Sequence, residues 1–504
     1  MSATPPSIRP EHAGPVLLSA LVAGGPDIAV TGVTHDSRTV RPGDLYVALP
    51  GASTHGARFA GQAAAAGAVA VLTDPDGAAS AADAGVPVVT VADPRGQLAR
   101  IAATVYGQPA GRMTMFGVTG TTGKTSTTFL LAAALTAAGR RVGTIGTIGF
   151  RLGDEVLASA RTTVTTPEAP DLQALLAYLA ERGADAIAME VSSHALALHR
   201  TDGVVFDVAG FTNLGRDHLD FHPSVEDYFQ AKAGLFRDGH CRAAAIGIDD
   251  EHGRRLAAEL ARGELPVVTT GAAPDADYRV DRIEPTGSGG SRLALTTPSG
   301  TREFTIGLLG DFNARNAATT VAMLDLAGVD LDAALPGLAV AAIPGRMQVV
   351  DLGPDAPRAV VDFAHTPESV AAALAGLPAG RRIAVLGCGG DRDLAKREPM
   401  GAAAATNADV VVVTDDNPRS ERPGDIRAAV LAGARRAAAR SGATVLDGGD
   451  RAAAIRIALD LAGPDDWVAV LGKGHETGQQ LADRTIPFDD VIELARAWDR
   501  LKEA

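Results

Sequence analysis

Cysteine is nearly absent from this 504-residue chain; only Cys241 and Cys388 occur. Two thiols exclude a disulfide scaffold and a four-cysteine zinc site, and they suit a reducing compartment. Aromatic residues are scarce too, at 4%. Cores must therefore be built from Ala, Val, Leu and Gly packed closely, which suits helices layered on sheets. Positive charge is in deficit, with 46 Lys and Arg against 60 Asp and Glu, for a net charge of −14. A general nucleic-acid binder needs the opposite balance, because basic side chains must displace counterions. A local basic cleft for an anionic substrate stays compatible with it. Long apolar runs are missing as well. The longest, such as residues 129–138, fall far short of the roughly 20 residues of a membrane span. The opening residues carry no basic segment followed by a signal-type apolar core. A cytoplasmic monomer with no membrane or nucleic-acid partner is expected.

Glycine, by contrast, is plentiful, and one glycine loop organises the chain. Val118-Thr119-Gly120-Thr121-Thr122-Gly123-Lys124-Thr125-Ser126 follows the apolar run 113–118 and precedes an Ala/Leu-rich run closing at Gly139. That order reads strand, loop, helix. Such a loop turns successive backbone N–H groups toward an anion, and the helix N-terminus adds its positive dipole end. Lys124 supplies a point charge for the β- and γ-phosphates of ATP, and Thr125 a hydroxyl for Mg²⁺. The usual pattern has a glycine where Val118 stands, so this is a shorter form of the loop.

The length implies about three domains, and the expected fold class is α/β throughout. Residues 1–109 read as a small α/β domain with strands at 29–33, 45–48, 69–72 and 86–91. Residues 110–343 read as a central P-loop ATPase-like domain with a mostly parallel sheet. Its further strands are expected at 141–145, 186–190, 205–212, 243–248 and 266–270, with an added strand group within 278–305. Residues 344–504 read as a Rossmann-like α/β domain with strands at 359–363, 382–386, 410–414 and 467–471. Alternating strands and helices imply parallel sheets covered on both faces. The last three strands end in glycine-rich or charged loops, the place where open α/β sheets bind ligands.

Glu190 ends the run Ile187-Ala188-Met189-Glu190. A carboxylate there can reach Mg²⁺ as a Walker-B acid does; an ordinary strand-end salt bridge is the alternative. His218, in the polar stretch 212–220, could ligate a second Mg²⁺ or Mn²⁺, or be merely hydrogen-bonded. Lys232, by spacing alone, reads as a solvated lysine on an amphipathic helix. Arg392, Arg419 and Lys473 suit carboxylates or phosphates, Arg419 bidentately. Asp416 beside Arg419 could take an ammonium, so the pair would read an amino acid. An Asx–Pro turn is the plainer reading of Asp416-Asn417-Pro418-Arg419.

Together these stretches resemble the Mur ligase family, over essentially the whole chain and in motif order. The matching stretches are Asp36-Ser37-Arg38, 120–125, Thr165-Thr166-Pro167, 189–194, 213–218, Ala231-Lys232 and 310–316. They continue through Gly345-Arg346, 362–367, 387–393, 416–419 and 472–476. The likeness is greatest to members that add the third residue of the peptidoglycan stem peptide. It implies an ATP-dependent, ADP-forming ligase that uses Mg²⁺. Such an enzyme joins meso-2,6-diaminopimelate to UDP-N-acetylmuramoyl-L-alanyl-D-glutamate through an acyl phosphate.

The resemblance also assigns residues. Lys124, Glu190, His218 and Lys232 would be catalytic. Gly120, Thr121, Thr122, Gly123, Lys124, Thr125, Ser126, Asn316, Arg346 and Asp362 would contact ATP. Ser37 would meet the uridine diphosphate part, and Thr165, Thr166, Ser192 and Arg200 the muramoyl-dipeptide. Arg392, Asp416, Asn417, Pro418, Arg419, Gly472 and Glu476 would bind diaminopimelate. Thr125, Glu190, His218 and Lys232, the last as a carbamate, would hold the metal. That implication replaces the spacing-based reading of Lys232. Some relatives carry glutamine where this chain has Leu198. Two other classes are weighed. A folylpolyglutamate synthetase-like ligase has no use for a uridine-binding first domain, and a P-loop ATPase has no amine acceptor. Reactants held by different domains imply closure, with hinges expected near Pro109 and Gly345.

Overall fold

The computed structural model describes residues 8–51, 53–158, 164–215, 217–286 and 289–503. Arg216, within one of the matching stretches, lies outside them. The chain forms two compact units. One holds the described residues up to Asp281 with Leu295–Arg302 and Arg315–Leu338; the other holds Arg282–Ala294, Glu303–Ala314 and the residues from Ala339 onward.

In the first unit, a four-stranded parallel sheet runs in the order Gly32–Thr34, Asp44–Ala48, Ala70–Thr73, Val88–Thr90. Side chains alternate between its faces. Leu45, Val47 and Leu72 pack with Leu98 and Ile101 of the helix Pro94–Val105, while Tyr46 and Val71 pack with Ala57, Ala60 and Ala63.

A larger sheet of the same unit runs Val142–Gly146, Ala186–Glu190, Thr114–Thr119, Val208–Phe211, Ala244–Gly247, Val267–Gly271, all parallel. The strand before the glycine loop lies in its middle. Glu190 is registered against Val118, and Phe211 against Thr119. Register alone therefore delivers the ends of both flanking strands to the loop. The strands read as continuous apolar runs because helices cover both faces. Leu172, Leu175, Leu176 and Leu179 of the helix Ala169–Glu181 join Ile145, Ile187 and Met189 in one buried cluster. Each such leucine stabilises the fold by about 1.5–3 kcal/mol. An antiparallel hairpin, Gly149–Leu152 with Glu155–Leu157, closes one edge. Its strands are too short for periodicity to reveal them. At the other edge Tyr278 and Arg279 pair with Thr270 and Gly271, and the strands Tyr278–Pro285, Ser291–Thr297 and Gly300–Ile306 make up the expected strand group.

The sheet of the second unit runs Gln348–Val350, Arg358–Asp362, Trp467–Leu471, Arg382–Leu386, Val410–Thr414, Thr444–Gly449. Only the first pairing is antiparallel. The strand of this sheet that comes last in the chain, Trp467–Leu471, inserts between the first two parallel ones. A change in strand order of this kind opens a crevice outside the carboxyl ends of the strands. Val411 and Val413 point into one apolar cluster and Val410 and Val412 into another, so this sheet too is covered on both faces.

Candidate active site

The phosphate loop joins the strand Thr114–Thr119 to the helix Lys124–Ala137. Its two glycines have φ of +146° at Gly120 and +87° at Gly123. A Cβ at Gly120 would collide with the Thr212 hydroxyl, and one at Gly123 with the side-chain amide of Asn316. The loop is thus glycine-lined because neighbouring polar side chains close on it. Asn213 Oδ1 accepts from the Thr122 backbone N–H at 3.0 Å and from its hydroxyl at 3.1 Å. Tyr228 Oη and Thr121 Oγ1 lie 3.1 Å apart. Thr125 and Ser126 are buried in the first turn of the helix.

Two features meet at this loop. On one side Thr125 Oγ1 donates to Glu190 Oε1 at 3.0 Å. Glu190 also accepts the Thr147 backbone N–H at 2.9 Å and the Thr147 hydroxyl at 3.1 Å, and Thr147 Oγ1 sits 3.1 Å from Thr165 Oγ1. Thr166 bonds the Glu190 carbonyl at 2.8 Å and receives the Ser192 N–H at 3.0 Å. Arg200 donates to the Thr166 carbonyl at 3.0 Å and pairs with Glu168 at 2.6 Å. The dipeptide residues expected from sequence therefore form one chain of contacts with the expected metal carboxylate.

On the other side Lys124 Nζ folds back to the carbonyls of Gly120 and Thr121 at 2.9 and 3.0 Å. Lys232 Nζ donates to the same Gly120 carbonyl at 2.7 Å and stands 4.5 Å from the Tyr228 ring centroid. The helix Val225–Ala233 turns Tyr228 and Lys232, four residues apart, onto one inward face. Lys232 is 1% exposed, so the solvated lysine inferred from spacing is corrected. Burial, then the charge of Lys124, pushes its pKa well below the usual lysine range. The free amine so favoured is the form that can attack CO₂.

His218 packs edge-on to His194 at 4.8 Å. Burial pushes the pKa of His194, His218 and His222 down, which favours the neutral, ligating imidazole. Among the described residues no three acid, histidine or cysteine side chains form a metal cage. Mg²⁺ does not require one; it keeps waters and takes one or two carboxylates plus phosphate oxygens. A buried carboxylate bonded to a phosphate-loop hydroxyl fits that donor set. Ser37, beyond the strand Gly32–Thr34, is buried with its hydroxyl 3.4 Å from Gln62 Oε1.

In the second unit Asp362 caps its own strand end, accepting the N–H groups of Met347 at 2.7 Å and Ala364 at 2.8 Å. Burial raises its pKa against the pull of Arg346, whose guanidinium lies 4.4 Å from the Phe363 ring centroid. The loops after the strands ending at Leu386, Thr414 and Leu471 converge. Asn417 Nδ2 donates to Glu476 Oε2 at 2.8 Å. Arg419, at φ +52°, donates to Gly390 O at 2.7 Å and Gln480 Oε1 at 2.9 Å. Asp416 is buried, and its carboxylate faces Gly472, where a Cβ would come within 2.6 Å of it. Arg392 is exposed and has no partner among the described residues. The stretch is more than the simple Asx–Pro turn considered above, since its amide is tied to three other residues. Lys473 is a correction. The sequence suggests a cation for ligand anions, but it is fully buried and its donors go to protein.

Sequence reasoning missed Thr147, Tyr228 and Gln480. Thr147 could have been found as the polar residue just past a strand adjacent to that of Glu190. Tyr228 could have been found four residues before Lys232 on one helix face. Gln480 lies in a hairpin, Gly478–Gln480 with Thr485–Pro487, too short to signal itself.

Comparisons agree with this arrangement. Residues 29–106 match the model described as Mur ligase family, catalytic domain; residues 118–324 match the Mur ligase middle domain; residues 345–474 match the Mur ligase, glutamate ligase domain. The chain belongs to the Mur ligase family, ATP-dependent ligases of three-domain α/β architecture. Within that class it is 50% identical over 483 residues to the UDP-N-acetylmuramoyl-L-alanyl-D-glutamate–2,6-diaminopimelate ligase of Streptomyces coelicolor, covering 93% of this chain and 92% of the relative. A solved ligase of the same name is similar at 30% identity and TM-score 0.70, covering 97% of this chain and all of that one. Folylpolyglutamate synthase of Mycobacterium tuberculosis, solved with ADP, shares the fold at 21% identity and TM-score 0.61, over 75% of this chain and 92% of its own.

Proposed function

We infer that the chain joins meso-2,6-diaminopimelate to UDP-N-acetylmuramoyl-L-alanyl-D-glutamate at the expense of ATP, in cytoplasmic peptidoglycan precursor synthesis. The observation that carries this reading is the loop cluster holding Arg419, Asn417 and Glu476, with Arg392 exposed and without a partner among the described residues. Cations and a carboxylate so gathered suit a zwitterion with a further carboxylate. Lysine lacks that second carboxylate and would leave an arginine unpaired, so the site rejects it. Domain limits at 109/110 and 343/344 belong to the same reading, and the three family matches fall inside them.

A carboxylate is a poor electrophile. The D-glutamyl side-chain carboxylate oxygen therefore attacks the γ-phosphorus of ATP, the bond to the bridging oxygen breaks, and ADP leaves. Lys124 exchanges its loop carbonyls for phosphate oxygens and follows the transferred charge. Thr125, Glu190 and His218 would hold Mg²⁺, which neutralises phosphate charge when bound. Lys232 Nζ, as the free amine, takes up CO₂ and releases a proton, turning a buried base into an anion. Ser192, Thr166 and Arg200 orient the acceptor peptide. The diaminopimelate amine then attacks the acyl carbon of the acyl phosphate, loses a proton, and inorganic phosphate departs. A coupled phosphate-release assay tests the reading. Release should require both the UDP-muramoyl-dipeptide and diaminopimelate, and lysine should not replace the latter. Basal release indifferent to both would mark an ATPase without an acceptor.

A further inference from the structure

Lys473 lies in the loop after the strand Trp467–Leu471 and is wholly shielded from solvent. An ammonium has three donors, and all three are used. They reach Asn417 Oδ1 at 3.1 Å, Glu476 Oε2 at 2.9 Å and the Gly478 carbonyl at 2.6 Å. Asn417 Oδ1 also receives the Gln480 N–H at 2.9 Å. With two donors converging on its oxygen, the amide cannot be turned over. Its Nδ2 then faces Glu476 Oε2, and one N–H is left over. Glu476 Oε2 is likewise filled, while Oε1 accepts nothing among the described residues on a side chain that is 33% exposed. What remains unspent is one N–H of the buried Asn417 amide and one oxygen of the partly exposed Glu476 carboxylate. Such a pair fits the carboxylate and ammonium of an α-amino acid. The Gln480 N–H orients the amide from one side, and Lys473 adds the second donor and ties the amide to Glu476.

The geometry points to Lys473 as a positioning residue of the amino-acid site: it touches no substrate but fixes which atoms of Asn417 and Glu476 meet it. The inference rests on the functional reading above, in which these two residues contact diaminopimelate. It also accounts for the Glu476 carboxylate. Burial raises its pKa, but the Lys473 charge and the hydrogen bonds from Lys473 and Asn417 outweigh that and hold it below the usual range.

Lys473→Met keeps the stem and removes the donors. It should raise KM for diaminopimelate about 10- to 100-fold. KM for ATP and for the UDP-muramoyl-dipeptide should stay within about twofold. The acidic limb of kcat/KM for diaminopimelate should move to higher pH, because Glu476 loses its cation. In a Glu476→Gln background the same change should cost much less; fully additive losses would overturn the inference. If Lys473→Met is recovered only as aggregate, Lys473→Arg decides. Its flat fork cannot meet three converging acceptors, so KM should still rise while the acidic limb stays put. An unchanged KM in the soluble variant would end the positioning role. Arg419→Ala separates the two levels. If it and Glu476→Gln leave KM for diaminopimelate untouched, the site reading itself falls. If they raise it and the Lys473 variants do not, only the positioning role falls.

Discussion

Two lysines are buried to the same degree in this molecule and behave as opposites. Lys232, at 1% exposure, sits by the phosphate loop with a single carbonyl and an aromatic face for company. Lys473, at 0%, is ringed by a carboxylate, an amide and a carbonyl. Burial beside another cation, offset only in part by Asp217, favours the neutral amine; burial against a carboxylate builds a rigid strut. The first arrangement favours a free amine and the second a hydrogen-bonded brace. The same contrast runs through the surroundings. The phosphate loop is held by neutral amides and hydroxyls, and the amino-acid loops by charged side chains locked together.

Lys232→Ala should test the contrast most severely. Activity should fall by about 10²–10³-fold, and formate or acetate should restore part of it if the modified side chain supplies only an anion. No restoration by either would remove the carbamate from the account. Arg419→Ala comes next. It should raise KM for diaminopimelate by roughly 100-fold with KM for ATP little changed, and equal losses on both would deny it selectivity. Gly123→Ala probes the backbone side of the contrast. At φ +87° and against Asn316, a methyl should lower stability by about 1–2 kcal/mol and weaken nucleotide binding, seen by thermal melting and by titration with an ATP analogue. The smallest effect belongs to His475, a half-buried base of the second region whose Nδ1 has no partner among the described residues. Burial first, then the Arg346 charge, pushes its pKa down to about 4. The unfolded chain therefore takes up a proton near pH 6.5 that the folded chain refuses. Its contribution is whole above that pH and is lost as pH falls toward 4. Between pH 7 and pH 6 the change should be below about 1 kcal/mol. His475→Gln should flatten it in denaturant titrations.

How much of this was legible beforehand follows from the same division. The phosphate loop declared itself because its strand, glycines and helix are contiguous. Glu190 declared itself because a charge ended an apolar strand. Lys232 did not: nine residues of amphipathic helix look alike whichever face turns inward, and only likeness to known ligases marked it. Thr147 reaches Glu190 across 43 residues of chain, and Gln480 reaches Asn417 across 63. Pairings of that span leave no local periodicity. Lys473 was seen but given the wrong task, since a glycine-flanked lysine reads alike whether it faces ligand or protein.

The glycine loop leans on Asn213, Tyr228 and Asn316, all of which are synthesised well after it. A nascent chain halted soon after the helix Lys124–Ala137 has the motif but not the groups that shape it. Competence to hold a nucleotide is therefore acquired late in translation. A ribosome-stalled or truncated product lacking those residues would not occupy ATP unproductively.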